Sequence, residues 1–391
     1  MEIARLIRRL AGWEHIWLCL LVTIVLAAHF GLILRPDVPM FDEQYYVPDA
    51  RSILDGNGTL RPEHPPLGKL IIASGILIFG DNPVGWRFFS VLFGAIGIVF
   101  FYLICRRLAM PRAGTLLATF LLSLENLTFV QASIAMLDVY CVTFMLAAFW
   151  LYLRGDFPLA AVCVGLSTLA KLTGALALLA IGLHWLLAGR SRPWHFISSM
   201  LLVPVSIFVL LPLFDFIVSR HLVDPVYSMK TMLSLSSTLT FSGTEHPSLS
   251  RPWDWVLRPL AMPYWYEPHY TGAISFTVWA FVIPVMLYMV FRATRHCHAA
   301  LFSIVWFAST YLVWIPLSIL TDRISFVFYF YPAVGAVCIA LGLGLARLLD
   351  IWRTRKDSGA GRAAIAGVVV YLIAHVVVFV VLSPMSGWQV V

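Results

Sequence analysis

Two adjacent carboxylates, Asp42 and Glu43, lie in the segment FDEQYY at residues 41–46, directly after the first long apolar run. Neighbouring carboxylates raise each other's pKa, and partial burial raises it further, so one of them can act as a general base near neutral pH. A solvated turn with ordinary acidic side chains is the alternative. The pair is therefore a candidate catalytic centre that needs support from other residues.

Basic side chains in unusual surroundings follow this pair along the chain. His64 and Lys69 belong to the segment HPPLGK, and Arg87 lies at the start of the next apolar run. An arginine at that depth is costly unless it is paired or reaches the membrane interface. Arg87 is a candidate ligand for an anion, with simple snorkelling of its side chain as the alternative.

Three more charged residues lie at the ends of apolar runs. Asp138 needs a cation or a metal ion as its partner, although pairing with a neighbouring helix is an equally good explanation. Lys171 is the only lysine of the mostly apolar segment 159–187, and a phosphate is its natural partner. Arg323 could be a second phosphate ligand, while the adjacent Asp322 offers it a structural partner.

The composition requires a bilayer as the solvent for most of the chain. Of 391 residues, 60% are hydrophobic and 12% are charged, whereas soluble proteins have about 25% charged residues. The net charge of +7 comes from arginines in short clusters between apolar runs, which argues against a nucleic-acid-binding face and favours topology signals. The six cysteines show no CxxC spacing, so neither a zinc site nor a disulfide framework is predicted.

Apolar runs long enough to cross a bilayer predict about eleven membrane spans. Residues 157–171 and 173–188, which no real loop separates, are the least clearly divided pair. The first run follows a basic N-terminus and lacks a convincing cleavage site, so we expect a retained signal anchor. The predicted spans lie near residues 14–34, 84–105, 113–130, 134–153, 157–171, 173–188, 196–218, 272–291, 299–319, 325–346 and 363–383.

Basic residues accumulate on alternate loops, as the positive-inside rule requires. This pattern predicts a cytoplasmic N-terminus, an external C-terminus and an external active site in a cell membrane protein. The residues are Arg5, Arg8, Arg9, Arg106, Arg107, Arg112, Arg154, Arg190, Arg192, Arg292, Arg295, Arg347, Arg353, Arg355, Lys356 and Arg362.

Two long loops on the opposite side contain most of the acidic residues. The loop at residues 35–83 has amphipathic stretches, and Pro65 and Pro66 are well placed to start a helix, so we predict short interfacial helices there. The loop at residues 220–270 is rich in Ser, Pro, Trp and Tyr and is predicted to cover a lipid-facing cleft.

Seven segments together resemble the protein O-mannosyltransferase family, the dolichyl-phosphate-mannose-dependent glycosyltransferases of C type, along nearly the whole chain. FDEQYY is similar to the acidic motif of the family's first loop, and HPPLGK, some twenty residues later, is the most specific match. The remaining segments follow in the family's order and are GWRFFSVLFG, IAMLD, LAKLTG, HPSLSRPWDW and DRISFVFYFYPAV. The short second loop resembles a prokaryotic form without MIR repeats.

The resemblance implies one all-α transmembrane glycosyltransferase domain over residues 1–391, with a role for each candidate. Asp42 would be the general base, and Glu43 would position the acceptor or support the charge. Asp138 would orient the acceptor or the sugar. Arg87, Lys171 and Arg323 would surround the carrier phosphate. The other implied substrate-binding residues are His64 and Tyr331.

The implied reaction moves mannose or a related sugar, with inversion, from a polyprenyl or dolichyl phosphate to Ser/Thr hydroxyls of proteins. A phosphate is a good leaving group, so one base and a cationic phosphate pocket suffice. No cofactor is required, although Asp42, Glu43 and Asp138 could hold a divalent cation. Transfer to a glycolipid or lipid-linked glycan is the first alternative, and a lipid-linked sugar transporter is the second; nucleic acid is not an expected partner.

Overall fold

The structure is a computed structural model that describes residues 2–189 and 193–385. Arg190 and Arg192, which support the predicted topology, lie outside the described residues. The first half of the chain contains helices α1 (Glu2–Leu32), α2 (Glu43–Leu54), α3 (Pro66–Phe79), α4 (Pro83–Arg107), α5 (Arg112–Ser123), α6 (Asn126–Ser133), α7 (Leu137–Arg154), α8 (Phe157–Ala170) and α9 (Leu176–Leu187).

The second half adds more helices and one β-hairpin. These elements are α10 (Pro193–Met200), α11 (Leu202–Ser219), α12 (Pro225–Ser237), α13 (Asp254–Leu257), β1 (Ala261–Tyr266), β2 (His269–Ala273), α14 (Phe276–Trp279), α15 (Val282–Thr294), α16 (His298–Phe307), α17 (Trp314–Thr321), α18 (Tyr331–Thr354) and α19 (Gly359–Leu382). Short 3-10 segments at Leu172–Ala175 and Val327–Phe330 adjoin α9 and α18.

Seven helical segments of the described residues are long and apolar enough to cross a membrane, so the chain is a multi-pass membrane protein. The bent pair α5–α6 makes an eighth if it counts as one span, and α3, α8, α15 and the segment Leu172–Leu187 are shorter apolar helices. The predicted count of about eleven spans therefore stays a prediction. The seven segments are Glu14–Leu32, Pro83–Arg107, Leu137–Arg154, Pro193–Ser219, His298–Thr321, Val327–Thr354 and Gly359–Leu382.

Helix α7 forms the centre of the bundle, and the first and last helices lie at its edge. In the most apolar window of α7, 78% of the residues are buried inside the protein, against 11% in α1 and 22% in α19. Because most of α7 is surrounded by protein, its buried polar side chains must find protein partners instead of lipid or water.

The first long loop contains two helices, as predicted. Helix α3 starts at Pro66, where a proline costs no hydrogen bond and its fixed backbone angle suits the first turn. It packs closely on α4, because a Cβ on Gly75 would overlap the carbonyl of Gly85. Helix α2 is longer than the amphipathic stretch from Asp49 that suggested it.

Two local features differ from the predicted all-helical spans. The predicted span 113–130 is broken into α5 and α6, which are bent by 53°. The break occurs at Glu125, whose carboxylate accepts the amide of Thr128 at 2.7 Å and that of Ser275 at 2.9 Å. The antiparallel hairpin β1–β2 begins in the second long loop and continues to Ala273, inside the predicted span 272–291, since its aromatic and β-branched residues favour strands.

Candidate active site

Asp42 lies in the first long loop, immediately before α2. Its backbone carbonyl accepts the amides of Tyr45 and Tyr46 at 2.9 and 3.0 Å, which begins the helix. Within residues 2–189 and 193–385, its carboxylate has no hydrogen-bond or ion-pair partner. Burial raises the pKa of Asp42 to about 6, opposed by the charge of Lys171 and assisted by that of Asp138. Such a carboxyl is largely ionised at pH 7 yet more basic than an ordinary aspartate.

The neighbouring carboxylate, Glu43, has a different environment. It is fully buried and forms a bidentate ion pair with Arg87, whose Nε and Nη2 donate to its two oxygens at 2.8 Å each. The amides of Met40 and Ala135 donate to the same carboxylate at 3.1 and 2.8 Å. Glu43 therefore joins the first long loop to α4 and to the segment before α7.

Every N–H group of the Arg87 guanidinium has an acceptor. Besides Glu43, the carbonyls of Ile33, Pro36 and Val38 accept from Nη1 and Nη2 at 2.8 to 3.2 Å. A guanidinium has five N–H donors, and five bonds use all of them. Arg87 therefore has no N–H donor left for a phosphate in this arrangement. The geometry indicates that Arg87 and Glu43 together hold the first long loop in place.

Asp138 and Lys171 form a second buried ion pair. Lys171 Nζ donates to both carboxylate oxygens of Asp138 at 2.8 and 2.7 Å. Asp138 lies in the first turn of α7, and Lys171 occupies the extended residue between α8 and the 3-10 segment. The ammonium also lies 5.5 and 5.4 Å from the ring centroids of Phe328 and Tyr329. The charges of both side chains act on Asp42, so this buried pair adjoins the candidate base. A substrate contact by Asp138 or Lys171 stays a prediction.

His64 is joined to this part of the site by a contact with Tyr46. The Tyr46 hydroxyl and His64 Nε2 are 3.3 Å apart. Burial lowers the pKa of His64 to about 3, and the positive charges of Lys171 and Lys69 act in the same direction. The imidazole is therefore neutral at pH 7 and can donate or accept one hydrogen bond to a bound substrate.

Lys69, the last residue of HPPLGK, fastens the first long loop from within. Its ammonium donates to Thr59 Oγ1 at 2.7 Å and to the Arg61 carbonyl at 2.9 Å, and lies 3.5 Å from Asp49. The side chains of Lys69 and Asp49 are 2% and 0% exposed, so the pair is sealed from solvent. Sequence reasoning missed this function, although a lysine inside the apolar stretch PLGKLIIASG is a visible signal for a buried partner.

Among the described residues, Arg323 is the cation of the site whose side chain has the fewest protein partners. Asp322, its expected structural partner, instead accepts from Arg251 at 2.6 Å. Across the described ranges, the half-buried Arg323 side chain has no hydrogen-bond or ion-pair partner, while its backbone pairs with Thr240. Its charge acts on His64. Arg323 is therefore positioned on the site with donors available for an anion.

Tyr331, the remaining candidate, begins α18 and is 5% exposed. It lines a small cavity between α4, α7 and α18. The other side chains on the cavity include Phe101, Thr128 and Trp306. Tyr331 therefore faces the apolar interior of the bundle, and a substrate contact by it stays a prediction.

The carboxylates that could have held a divalent cation do not form a ligand set. Glu43 is bound to Arg87 and Asp138 to Lys171, which leaves Asp42 alone. In the part of the chain that the structure describes, no group of three or more His, Cys, Asp and Glu side chains could hold a metal ion. These residues do not fit the predicted optional cation site.

Comparisons with known proteins match part of the chain to one family. Residues 63–218 match the model of the dolichyl-phosphate-mannose-protein mannosyltransferase family. A polyprenol-phosphate-mannose–protein mannosyltransferase of Mycobacterium tuberculosis is 35% identical over 148 residues, which are 36% of this chain and only 28% of that relative. The enzyme of the same name from Corynebacterium glutamicum is 24% identical, with 89% of this chain and 84% of the relative covered.

Solved structures share the fold at low identity. The S. cerevisiae protein O-mannosyltransferase Pmt1–Pmt2 complex bound to the sugar donor gives a TM-score of 0.75 at 13% identity and covers 95% of this chain and 90% of that one. ArnT from Cupriavidus metallidurans bound to undecaprenyl phosphate gives 0.65 at 17% identity, with 94% and 76% covered. The fold is therefore that of the C-type glycosyltransferases, as the sequence motifs predicted. The match over residues 63–218 and the named relatives agree with the resemblance to the protein O-mannosyltransferases that the sequence motifs indicated.

Proposed function

We propose that this protein transfers mannose from a polyprenyl-phosphate carrier to Ser or Thr hydroxyls of proteins, with Asp42 as the general base. The observation that carries the proposal is the Asp42 carboxyl, which lacks a partner among the described residues and has its pKa raised to about 6. The names of the mycobacterial and corynebacterial relatives support the donor and the acceptor.

The proposed reaction is one inverting displacement. Asp42 takes the proton of the acceptor hydroxyl as its oxygen attacks the anomeric carbon of mannose. The bond from that carbon to the phosphate oxygen breaks, and its electron pair leaves with the polyprenyl phosphate. Because the phosphate is already a good leaving group, no general acid is needed.

Arg323 and Lys171 supply the positive charge for the leaving phosphate. Arg323 has free donors among the described residues, while Lys171 would share its ammonium between Asp138 and the phosphate. His64, neutral and close to Tyr46, would contact the sugar or the phosphate as a hydrogen-bond partner. Asp138 would hold Lys171 in place and help to orient the acceptor.

The organisation of the chain supports an external site. We infer that residues 1–391 are one transmembrane glycosyltransferase domain with a cytoplasmic N-terminus, since basic residues alternate with the long acidic loops. Residues 35–83 would form the catalytic loop, and residues 220–270 would cover the site. The hydrogen bond from Ser236 Oγ to the Glu63 carbonyl joins the two loops and supports this covering role of residues 220–270.

The experiment is sugar transfer by the purified full chain in lipid nanodiscs. Polyprenyl-phosphate-mannose is the donor, and a Ser/Thr peptide and a lipid-linked glycan are tested as acceptors. Asp42→Asn should lower kcat by at least about a hundredfold, since a positioned base contributes roughly 10²–10⁴. Asp37→Asn, an exposed aspartate of the same loop, is the matched control and should keep wild-type activity.

Each result decides between the candidate functions. Transfer to the peptide that Asp42→Asn abolishes supports protein O-mannosylation with this base. Transfer only to the glycan would replace the protein acceptor by a glycolipid. Donor binding with no transfer to either acceptor would contradict the proposed reaction and favour a transporter.

A further inference from the structure

Phe41, the residue before Asp42, has a backbone conformation that its side chain disfavours. Its φ is +49°, in the left-handed region. There the Cβ of any residue other than glycine crowds the backbone, which costs about 1–2 kcal/mol. Such a residue persists only where the surroundings hold it, and these residues gather at functional sites. What holds Phe41 therefore also fixes the direction in which the Asp42 carboxyl points.

The ring of Tyr264 holds Phe41. The two rings are stacked with their centroids 3.9 Å apart and their planes within 5°, and Phe328 meets Phe41 edge-on at 5.7 Å. Tyr264 is 5% exposed and Phe41 is half-buried, so the stack is largely shielded by the protein. Aromatic pairs contribute about 0.5–1.5 kcal/mol beyond the area they bury, which matches the cost of the Phe41 conformation in order of magnitude.

The β1–β2 hairpin is built to aim Tyr264 at this point. The strands pair Pro263 with Thr271 and Trp265 with Tyr270, so Tyr264 is the extra residue of a bulge. Bulges redirect one side chain and are common beside active sites. Across the hairpin, a Cβ at Gly272 would lie 2.5 Å from Cζ and from the hydroxyl oxygen of Tyr264, so only glycine leaves room for the ring.

The hydroxyl of Tyr264 is held separately from its ring. Gln131 Nε2, on α6, donates to it at 3.0 Å. The proton of the hydroxyl is therefore directed away from Gln131, and the charges of Asp138 and Asp42 both act on this tyrosine. Because burial and these carboxylates raise its pKa, Tyr264 stays neutral.

We propose that Tyr264 is the positioning residue for the catalytic base: by stacking on Phe41 it fixes the Asp42 carboxyl, and by closing the site above that carboxyl it keeps water out. The hairpin of the second long loop is thus part of the catalytic apparatus and not only a cover. The inference rests on the proposed function of Asp42. It concerns a residue that lies more than 200 positions from the base in the chain.

The test compares two substitutions that separate the ring from the hydroxyl. Tyr264→Ala removes the stack and should lower kcat by about ten- to a hundredfold, since a displacement of the order of 1 Å costs as much as a hundredfold. The donor KM should change less than twofold. Tyr264→Phe keeps the stack and should restore kcat to within about threefold of wild type. Tyr266→Ala, at an exposed position of the same strand, is the matched control.

The pH profile provides a readout that a general loss of stability would not move. The charged groups that act on Asp42 are Lys171, Asp138 and Arg61, and burial has the largest effect. Tyr264→Ala admits water, so the acid limb of the kcat/KM profile should move from about 6 towards the ordinary value of 3.8. If the alanine variant does not fold, Gly272→Ala displaces the same ring and should shift the limb in the same direction.

Two results would overturn the inference. One is a Tyr264→Ala enzyme with wild-type kcat and an unmoved acid limb; the other is a Tyr264→Phe enzyme as impaired as Tyr264→Ala. An inactive wild-type protein would instead contradict the proposed function. In that case infrared titration of the carboxyl, as the difference between wild type and Asp42→Asn, measures the same pKa without turnover, and an unchanged value in Tyr264→Ala refutes the positioning role.

Discussion

Replacing Arg87 by lysine separates two roles for this arginine, phosphate binding and support of the first long loop. The substitution keeps the positive charge but reduces five N–H donors to three. At least two of the bonds that Arg87 makes to Glu43 and to the carbonyls of Ile33, Pro36 and Val38 must then be lost. An unsatisfied buried acceptor costs about 1–3 kcal/mol, so we expect a loss of ~2–6 kcal/mol in the free energy of unfolding.

The assay measures unfolding in detergent by denaturant titration and donor binding by titration with polyprenyl-phosphate-mannose. Arg51→Lys is the matched control, because the Arg51–Asp81 pair is about 40% exposed and exposed pairs contribute at most about 1 kcal/mol. The expected result is a clear loss of stability with donor affinity changed less than threefold in the folded fraction. Unchanged stability with a tenfold loss of donor affinity would refute the reasoning and make Arg87 a phosphate ligand.

Three further predictions concern the charges around the site. With the pKa of Asp42 near 6, the base is protonated and inactive below that pH, so kcat/KM should rise about tenfold from pH 5 to 7 and then level off; a flat rate profile over pH 5–8 contradicts this. Arg323→Gln should raise the donor KM about tenfold without lowering thermal stability, because a charge-assisted bond to phosphate is lost and no described partner is left unpaired; an unchanged KM in steady-state assays removes Arg323 from the phosphate site. Lys171→Met should cost about 3–5 kcal/mol in denaturant titration because Asp138 is left buried without its cation, and adding Asp138→Asn should recover part of it; no recovery would show that the cost is one of packing.

The helices and the family motifs could be predicted from the sequence because each depends on local information. A long apolar run must be a helix in lipid, so α4, α7 and α18 follow from composition alone. Pro66 at the start of α3 follows from its fixed backbone angle. The break at Lys171 is also visible, since a lone lysine between two apolar runs cannot stay in a continuous lipid-facing helix.

The distribution of partners among the charged residues could not be predicted from one sequence. Asp42 and Glu43 are adjacent and chemically alike, yet only Glu43 meets Arg87, because α2 begins between them and turns their side chains apart. Arg323 and Asp322 are adjacent as well, and the aspartate is bound by Arg251 from the second long loop. Contacts between distant segments decide these roles, and a spacing along the chain does not encode them.

The β1–β2 hairpin could not be predicted from the sequence for the same reason. Its bulge at Tyr264 depends on a register between strands of five and six residues, and no alternation of apolar and polar residues marks it. The glycine opposite, Gly272, looks like any loop glycine until the ring is seen beside it. A sequence signal exists only in retrospect, as a glycine placed eight residues after a tyrosine.

The Asp138–Lys171 ion pair has a consequence for how the chain enters the membrane. Helices α7 and α8 form a hairpin with a tight turn at Gly155, and the two charges meet at its open end. Helix α8 has only 14 residues and is followed directly by Lys171, so alone it is a marginal span next to an ion that costs about 2.5–3.5 kcal/mol in the membrane. Because Asp138 has already crossed to the far side of the membrane, it neutralises Lys171 when that residue reaches the same side. The hairpin should therefore insert as one unit. In a translocon assay, α8 should therefore integrate poorly by itself, well behind α7, and less well behind α7 carrying Asp138→Leu.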